Sequence, residues 1–252
     1  MVHDCLAGEV RGWSHFVRTF GPSVRTMLAH YGGRADDLGT VLRRLRSSGP
    51  ALWHDDGLVG DRDFLMRLRP WILQRAGEPP PAEIALELET LAAALEPLTV
   101  VERQIAWTET MRYSAVEAAR IMRCAPATAE QVRRKAGDLL RASLDRWKDG
   151  VVEENGRALQ RQAQASPPED KIGVREFFDI IDGRITWDRL AGLERRLKAS
   201  WHEIDHFCRI READDLLRSR ASVSPEQEAE LLRGLGLEAP KPSFWRRWAG
   251  LS

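Results

Sequence analysis

The chain predicts an all-α protein, and three observations carry that prediction. Apolar residues recur every three or four positions along nearly all of the 252 residues, the spacing of one helical face, and no run alternates as a half-buried strand does. Within Leu95–Trp147 two amphipathic stretches meet at a tight break, the pattern of a helix, a turn and a second helix. Stiff or polar stretches then divide the chain into segments long enough for only a few helices each. The expected organisation is a helical domain at 1–76, a proline-rich linker and connecting helix at 77–94, a helix-turn-helix domain at 95–149, a linker at 150–171 and a small helical domain at 172–252.

In the first segment Trp13, Phe16, Val17 and Phe20 follow a helical repeat and are expected in a core. Arg43, Arg44 and Arg46 read as surface charge, and Trp53, Trp71 and Trp107 as packing residues. Pro70 is expected to break or kink a helix over Phe64–Ile72, because proline lacks the donor of a helical turn. Gly77-Glu-Pro-Pro-Pro81 reads as a stiff extended connector. Beyond it, Ile84, Leu88, Leu91 and Leu95 resume the helical repeat.

Ser114 is positioned to cap a helix over Ala115–Met122, which Arg123-Cys124-Ala125-Pro126 ends. Thr128 can cap or open the next helix, with Val132, Ala136, Leu139 and Leu140 as its apolar stripe and Arg133, Arg134 and Lys135 on other faces. Such a pair of helices lays the second in a DNA major groove, so the expected DNA contacts are Thr128, Gln131, Arg133, Arg134 and Lys135. The stretch Gly150–Lys171, with its glutamines, serine and prolines, reads as a looser linker. Phe177, Ile180 and Ile181, then Leu190, Leu193 and Leu197, mark two further helices.

Composition narrows the function classes. Thirty-eight basic and 38 acidic residues cancel, so nucleic-acid binding by bulk charge is excluded and any DNA contact needs a local patch or a partner. Arg123–Gly150 holds seven basic residues against four acidic ones, a modest patch. No apolar run approaches the roughly 18 residues of a membrane span. The N-terminus lacks the basic and apolar regions of a signal peptide, and Cys5, Cys124 and Cys208 sit too far apart for a disulfide framework, so a cytoplasmic location is expected.

These stretches resemble sigma factors of the extracytoplasmic-function type, the minimal two-domain bacterial transcription initiation factors. Leu6–Pro22 resembles the opening helix of the sigma region 2 domain, which in the family binds the polymerase clamp and melts promoter DNA. Leu95–Ile105 resembles the start of the region 4 domain, and Tyr113–Met122 with Ala125–Ala136 follows its helix-turn-helix. The resemblance implies core RNA polymerase and promoter DNA as partners, and no catalytic role or cofactor. The chain departs from the family where Arg123 takes the place of the usual turn glycine and where Glu130 and Val132 fall on typically basic positions.

His202-Glu-Ile-Asp-His206 fits HExxH, in which two histidines one turn apart bind zinc and the glutamate activates water. A zinc peptidase would use His202 and His206 as ligands, Glu203 as base and Glu212, Asp214 or Asp215 as a distant third ligand; a zinc site of His202, His206 and Cys208 is a variant of this. Val174–Leu190 and Leu193–Ser200 resemble the zinc-finger type of anti-sigma domain, but its ligand positions fall on Arg196, Ser200 and Glu203. That resemblance implies a metal-free anti-sigma-like unit that masks the sigma-like domains or recruits a regulatory protein. The tail Pro242–Leu251, with aromatic residues beside arginines, suits a protein interface, a membrane surface or docking on its own domain. The leading expectation is a sigma-like, DNA-binding transcription regulator. A sigma-fold adaptor without promoter recognition is the alternative, and a small zinc peptidase the third.

Overall fold

The computed structural model describes residues 4–5, 7–31, 37–48, 60–76, 86–145, 147–219 and 221–237. Among them are thirteen helices and no strand, so the fold is all-helical. The connector Gly77–Pro81, Trp53 and the tail Pro242–Leu251 lie outside the described residues. No described helix is long and apolar enough to cross a membrane. Contacts divide the chain into two units, one of Met1–Leu58, Arg67–Gly77 and Ser219–Ser252, the other of Val59–Met66 and Glu78–Arg218.

In the first unit, α1 (Val10–His30) buries Trp13, Phe16, Val17, Phe20, Val24, Met27 and Leu28, the stripe its repeat predicts. Trp13 Nε1 donates to the Cys5 carbonyl at 3.1 Å, and Gly12 lets Asp4 and Cys5 lie against the helix, since a Cβ there would come within 2.7 Å of Cys5 N. α2 (Asp37–Ser48) packs Leu38, Val41, Leu42 and Leu45 inward. α3 (Gly60–Ala76) continues as one helix through Pro70, so of the expected break or kink no break occurs. The division between units falls between Met66 and Arg67, next to the carbonyl that Pro70 leaves without its helical donor. Arg69, fully buried, donates to the Tyr31 hydroxyl at 2.7 Å and lies over its ring.

The second unit has one continuous core that runs in sequence from Leu86 to Ile210. It contains α4 (Leu88–Ala94), α5 (Val100–Trp107), α6 (Ala115–Met122), α7 (Pro126–Ser143), α8 (Val151–Glu154), α9 (Gly156–Ala165), α10 (Val174–Ile181), α11 (Trp187–Ala199) and α12 (Trp201–Arg218). The segment 150–171, expected as a loose linker, is therefore mostly helical. Its amides are not solvated: Asn155 Oδ1 accepts from Leu86 N at 3.1 Å, Gln162 Oε1 from Leu88 N at 2.7 Å, and Gln160 Nε2 donates to the Thr110 carbonyl at 2.7 Å. Val152, Gly156, Leu159 and Ala163 lie at helical spacing and are buried. Gly156 is required there, because a Cβ would sit 2.1 Å from the Thr110 oxygen.

The described helices after 171 divide between the two units. α10, α11 and α12 complete the core of the second unit, whereas α13 (Pro225–Gly234) packs on α1 and α2 in the first. Its start is capped by Ser224 and Gln227, and Glu228 accepts from Ser14 Oγ.

Helix α12 packs against α5, α6, α9, α10 and α11, and four of its acidic residues are buried. Each holds a different segment. Glu203 Oε1 accepts from Ile172 N at 2.9 Å, Asp205 Oδ1 from Trp107 Nε1 at 3.0 Å, and Glu212 Oε1 from the Tyr113 hydroxyl at 2.6 Å. Asp214 takes three arginines. A carboxylate survives burial only with such partners, so α12 is fixed in rotation and register by its polar residues as well as by Ile204, Phe207, Cys208 and Ile210.

Candidate functional site

The helix, turn and helix predicted within Leu95–Trp147 are α6, Arg123–Ala125 and α7. Ser114 caps α6 as expected: its Oγ accepts from Glu117 N at 3.3 Å while Glu117 Oε2 accepts from Ser114 N at 2.8 Å. At the other end Arg123 adopts the left-handed conformation (φ 57°, ψ 47°), with Cys124 N bonded to the Ala119 carbonyl and Arg123 N to that of Arg120. This is a Schellman turn built without glycine.

What Arg123 gains is a set of long-range bonds. Nη1 donates to the Ile181 carbonyl at 3.2 Å and Nη2 to Asp214 Oδ2. Asp214 also receives Arg62 Nε at 2.8 Å and Arg218 Nε at 3.1 Å, and Arg62 continues to Asp182 at 2.9 Å. Its Arg62 partner holds the Asp182 carboxyl below the usual carboxylate range despite an opposing effect of burial. One carboxylate thus joins the start of α3, the turn after α6 and the end of α12.

Helix α7 opens earlier than expected. Ala125 is its N-cap and Pro126 its first residue, so Thr128 stands in the first turn and does not cap it. Ala129, Val132, Ala136 and Leu140 face the core. Val132 is thus a packing residue of α7. Thr128, Gln131, Arg134 and Lys135 are exposed along the outer face, together with Glu130.

Arg133 leaves this set. Its Nη2 donates to the Tyr113 carbonyl and, at 3.3 Å, to Thr108 Oγ1, and burial pushes its pKa down against the opposing charge of Glu109. It fastens α7 to the loop before α6. Lys135 pairs with Glu102 of α5 at 2.8 Å, and Arg141 with Asp138 and Asp149 at 2.8 and 2.9 Å. Arg134 is the exposed cation of α7 that makes no ion pair among the described residues.

The HExxH residues lie on α12 but serve packing. His202 Nδ1 lies 3.1 Å from the Ala163 carbonyl, and His206 meets the Phe177 ring edge-on at 5.1 Å. Burial lowers the His206 pKa to about 4, so the ring is neutral at pH 7. Glu203 Oε1 accepts from Ile172 N while its Oε2 is buried without a hydrogen-bond partner, and burial raises the Glu203 pKa. Cys208 is fully buried with its Sγ 3.5 Å from the Gln104 carbonyl, and burial pushes its thiol well up. Glu212 and Asp214 hold Tyr113 and the arginines, and Asp215 pairs with Arg120 at 3.0 Å. Among the described residues no three His, Cys, Asp or Glu side chains are grouped to hold a metal ion.

Asp214 and Arg62 were not singled out by sequence reasoning as a pair. The available signal was weak: acidic residues on a helix whose apolar residues do not form a single stripe, which means a helix covered on several sides. Compared with protein-family models, characterised proteins and solved structures, the chain finds no match.

Proposed function

We propose that the chain is a sigma-factor-like transcription regulator that binds core RNA polymerase and promoter DNA, with its C-terminal segment restraining the helix-turn-helix. The observation that carries this reading is the outer face of α7, where Thr128, Gln131 and Arg134 stand exposed behind a capped α6 and a left-handed turn. Those side chains would read base edges while the turn and α6 set the approach. The restraint is supported by α12, which packs on α5 and α6 and binds the turn residue Arg123 through Asp214. Activation would require a ligand, a partner or polymerase to bind a released state more tightly. No catalytic role is proposed, and the cytoplasm is the proposed location.

The test is co-purification with core polymerase followed by a promoter-opening assay. Binding with opening supports an initiation factor. Binding without opening leaves the second reading, a sigma-fold adaptor that engages only proteins. That reading is favoured by one observation: Arg133 and Lys135 are already committed within the protein, which leaves few phosphate contacts. Zinc analysis of protein purified without chelator addresses the peptidase reading, since a stoichiometric metal would revive it.

A further inference from the structure

We propose that the groove over Gly192 on α11 is a docking site for an acidic segment of a partner protein, whose carboxylates bridge Arg189 and Arg195. The groove is open to solvent, has a volume of about 530 Å³ and is lined by Gly192, Leu193 and Ala199 together with Arg189, Arg195, Arg196 and Glu176.

Gly192 carries the argument. It sits inside a thirteen-residue helix, where glycine costs about 1 kcal/mol relative to alanine. Its φ is not in the left-handed region, and a Cβ built there would meet no atom within 4 Å. Neither conformation nor packing requires a glycine. What remains is the open space itself, the use to which glycine is put where another chain must approach a backbone closely.

The walls specify what approaches. Arg196 is absorbed by Asp170, through its carbonyl at 2.8 Å and its carboxylate at 3.0 Å. Arg189 is only 3.5 Å from Glu176, an ion pair without a hydrogen bond, and Arg195 is exposed with no ion pair among the described residues. At 100° per residue Arg189 and Arg195 lie on opposite sides of Gly192, each three residues away. Six residues at 1.5 Å rise separate them by about 9 Å along the axis. They also stand about 120° apart around the helix, which at a side-chain radius of about 5–6 Å makes the full separation about 13 Å. An extended chain covers that in about four residues, with both side chains on one face. The fitting occupant is an extended segment with two carboxylates four residues apart and small residues between them over Gly192. Guanidinium groups suit this role because each offers paired donors to a carboxylate.

The site stands on α10 and α11 and does not depend on what α7 binds. It is tested on the full chain with a fluorescein-labelled synthetic peptide of alanine and glycine carrying two glutamates four residues apart, against the same peptide with glutamines. Fluorescence anisotropy should show saturable binding of the glutamate peptide that is weaker at high salt and at least tenfold weaker for the glutamine peptide. Gly192→Leu puts a side chain into the groove from a Cβ that meets no protein atom within 4 Å, and should weaken binding at least tenfold while the melting temperature is unchanged or higher. Arg195→Glu, at an exposed position, should do the same without affecting folding. Equal binding of both peptides, no binding of either, or binding that survives Gly192→Leu and Arg195→Glu would overturn the proposal.

Discussion

Replacing Arg123 by glycine sets two measurable effects against each other. Relief of the left-handed conformation favours the variant by about 1 kcal/mol, because a Cβ in that region crowds the following carbonyl. Part of this is returned as extra freedom of the unfolded chain. Against it stands the loss of one bond to a carboxylate and one to the Ile181 carbonyl, in the range of about 1.5–3 kcal/mol for the charged bond alone. The arginine side chain is 37% exposed, so solvent screening puts that bond at the low end. Asp214, 5% exposed, keeps Arg62 and Arg218, so its charge is not orphaned. The expected net destabilisation is about 1 kcal/mol. Arg123→Ala loses the same bonds without relief and should be less stable than the glycine variant by about 1 kcal/mol. Urea unfolding of the three proteins reads both differences. A glycine variant more stable than the parent would show that the bonds to Asp214 and Ile181 contribute nothing, and the restraint assigned to them would fall.

Three further outcomes follow from the same geometry. Gly156→Ala should destabilise by about 3 kcal/mol or prevent folding, since its Cβ would collide with the Thr110 carbonyl and both sides are backbone; thermal melting checks it. His206 is held neutral with its pKa lowered from 6.5 to about 4, so the unfolded chain binds the extra proton between those values. Stability from this group is complete above pH 6.5 and is lost as the pH falls toward 4, by about 2 kcal/mol at pH 5, and the difference between parent and His206→Phe in urea unfolding at pH 7 and pH 5 isolates it. On α7 the two neighbouring arginines should separate. Arg134→Ala should weaken DNA binding by about 1–3 kcal/mol in an electrophoretic shift with no change in melting temperature, whereas Arg133→Ala should lower the melting temperature by removing the bond to Tyr113.

Much of the fold was legible because helices declare themselves locally. The stripes Trp13–Phe20 and Val132–Leu140 and the cap Ser114 depend on residues within one or two turns, and each is found where the spacing puts it. The unbroken helix at Pro70 was not legible, because a proline forfeits one bond while the rest of a seventeen-residue helix remains. The segment after Gly150 read as a linker because its glutamines and asparagine look solvated. Their acceptors and donors are Thr110, Leu86 and Leu88, which are remote in sequence.

The candidate site divides the same way. The chain by itself determined an all-helical protein, the α6–turn–α7 unit and the exposed residues Thr128, Gln131 and Arg134, all consequences of 3.6-residue periodicity and capping. Only the tertiary structure decided which charges remain available. Arg133 turns inward to Tyr113, Arg123 reaches Asp214, and the HExxH side chains are spent on Ala163, Ile172 and the Phe177 ring. The physical reason is that a helical period fixes the direction of a side chain from its own axis, whereas the partner that satisfies it is chosen by packing between segments about 20 to 90 residues apart.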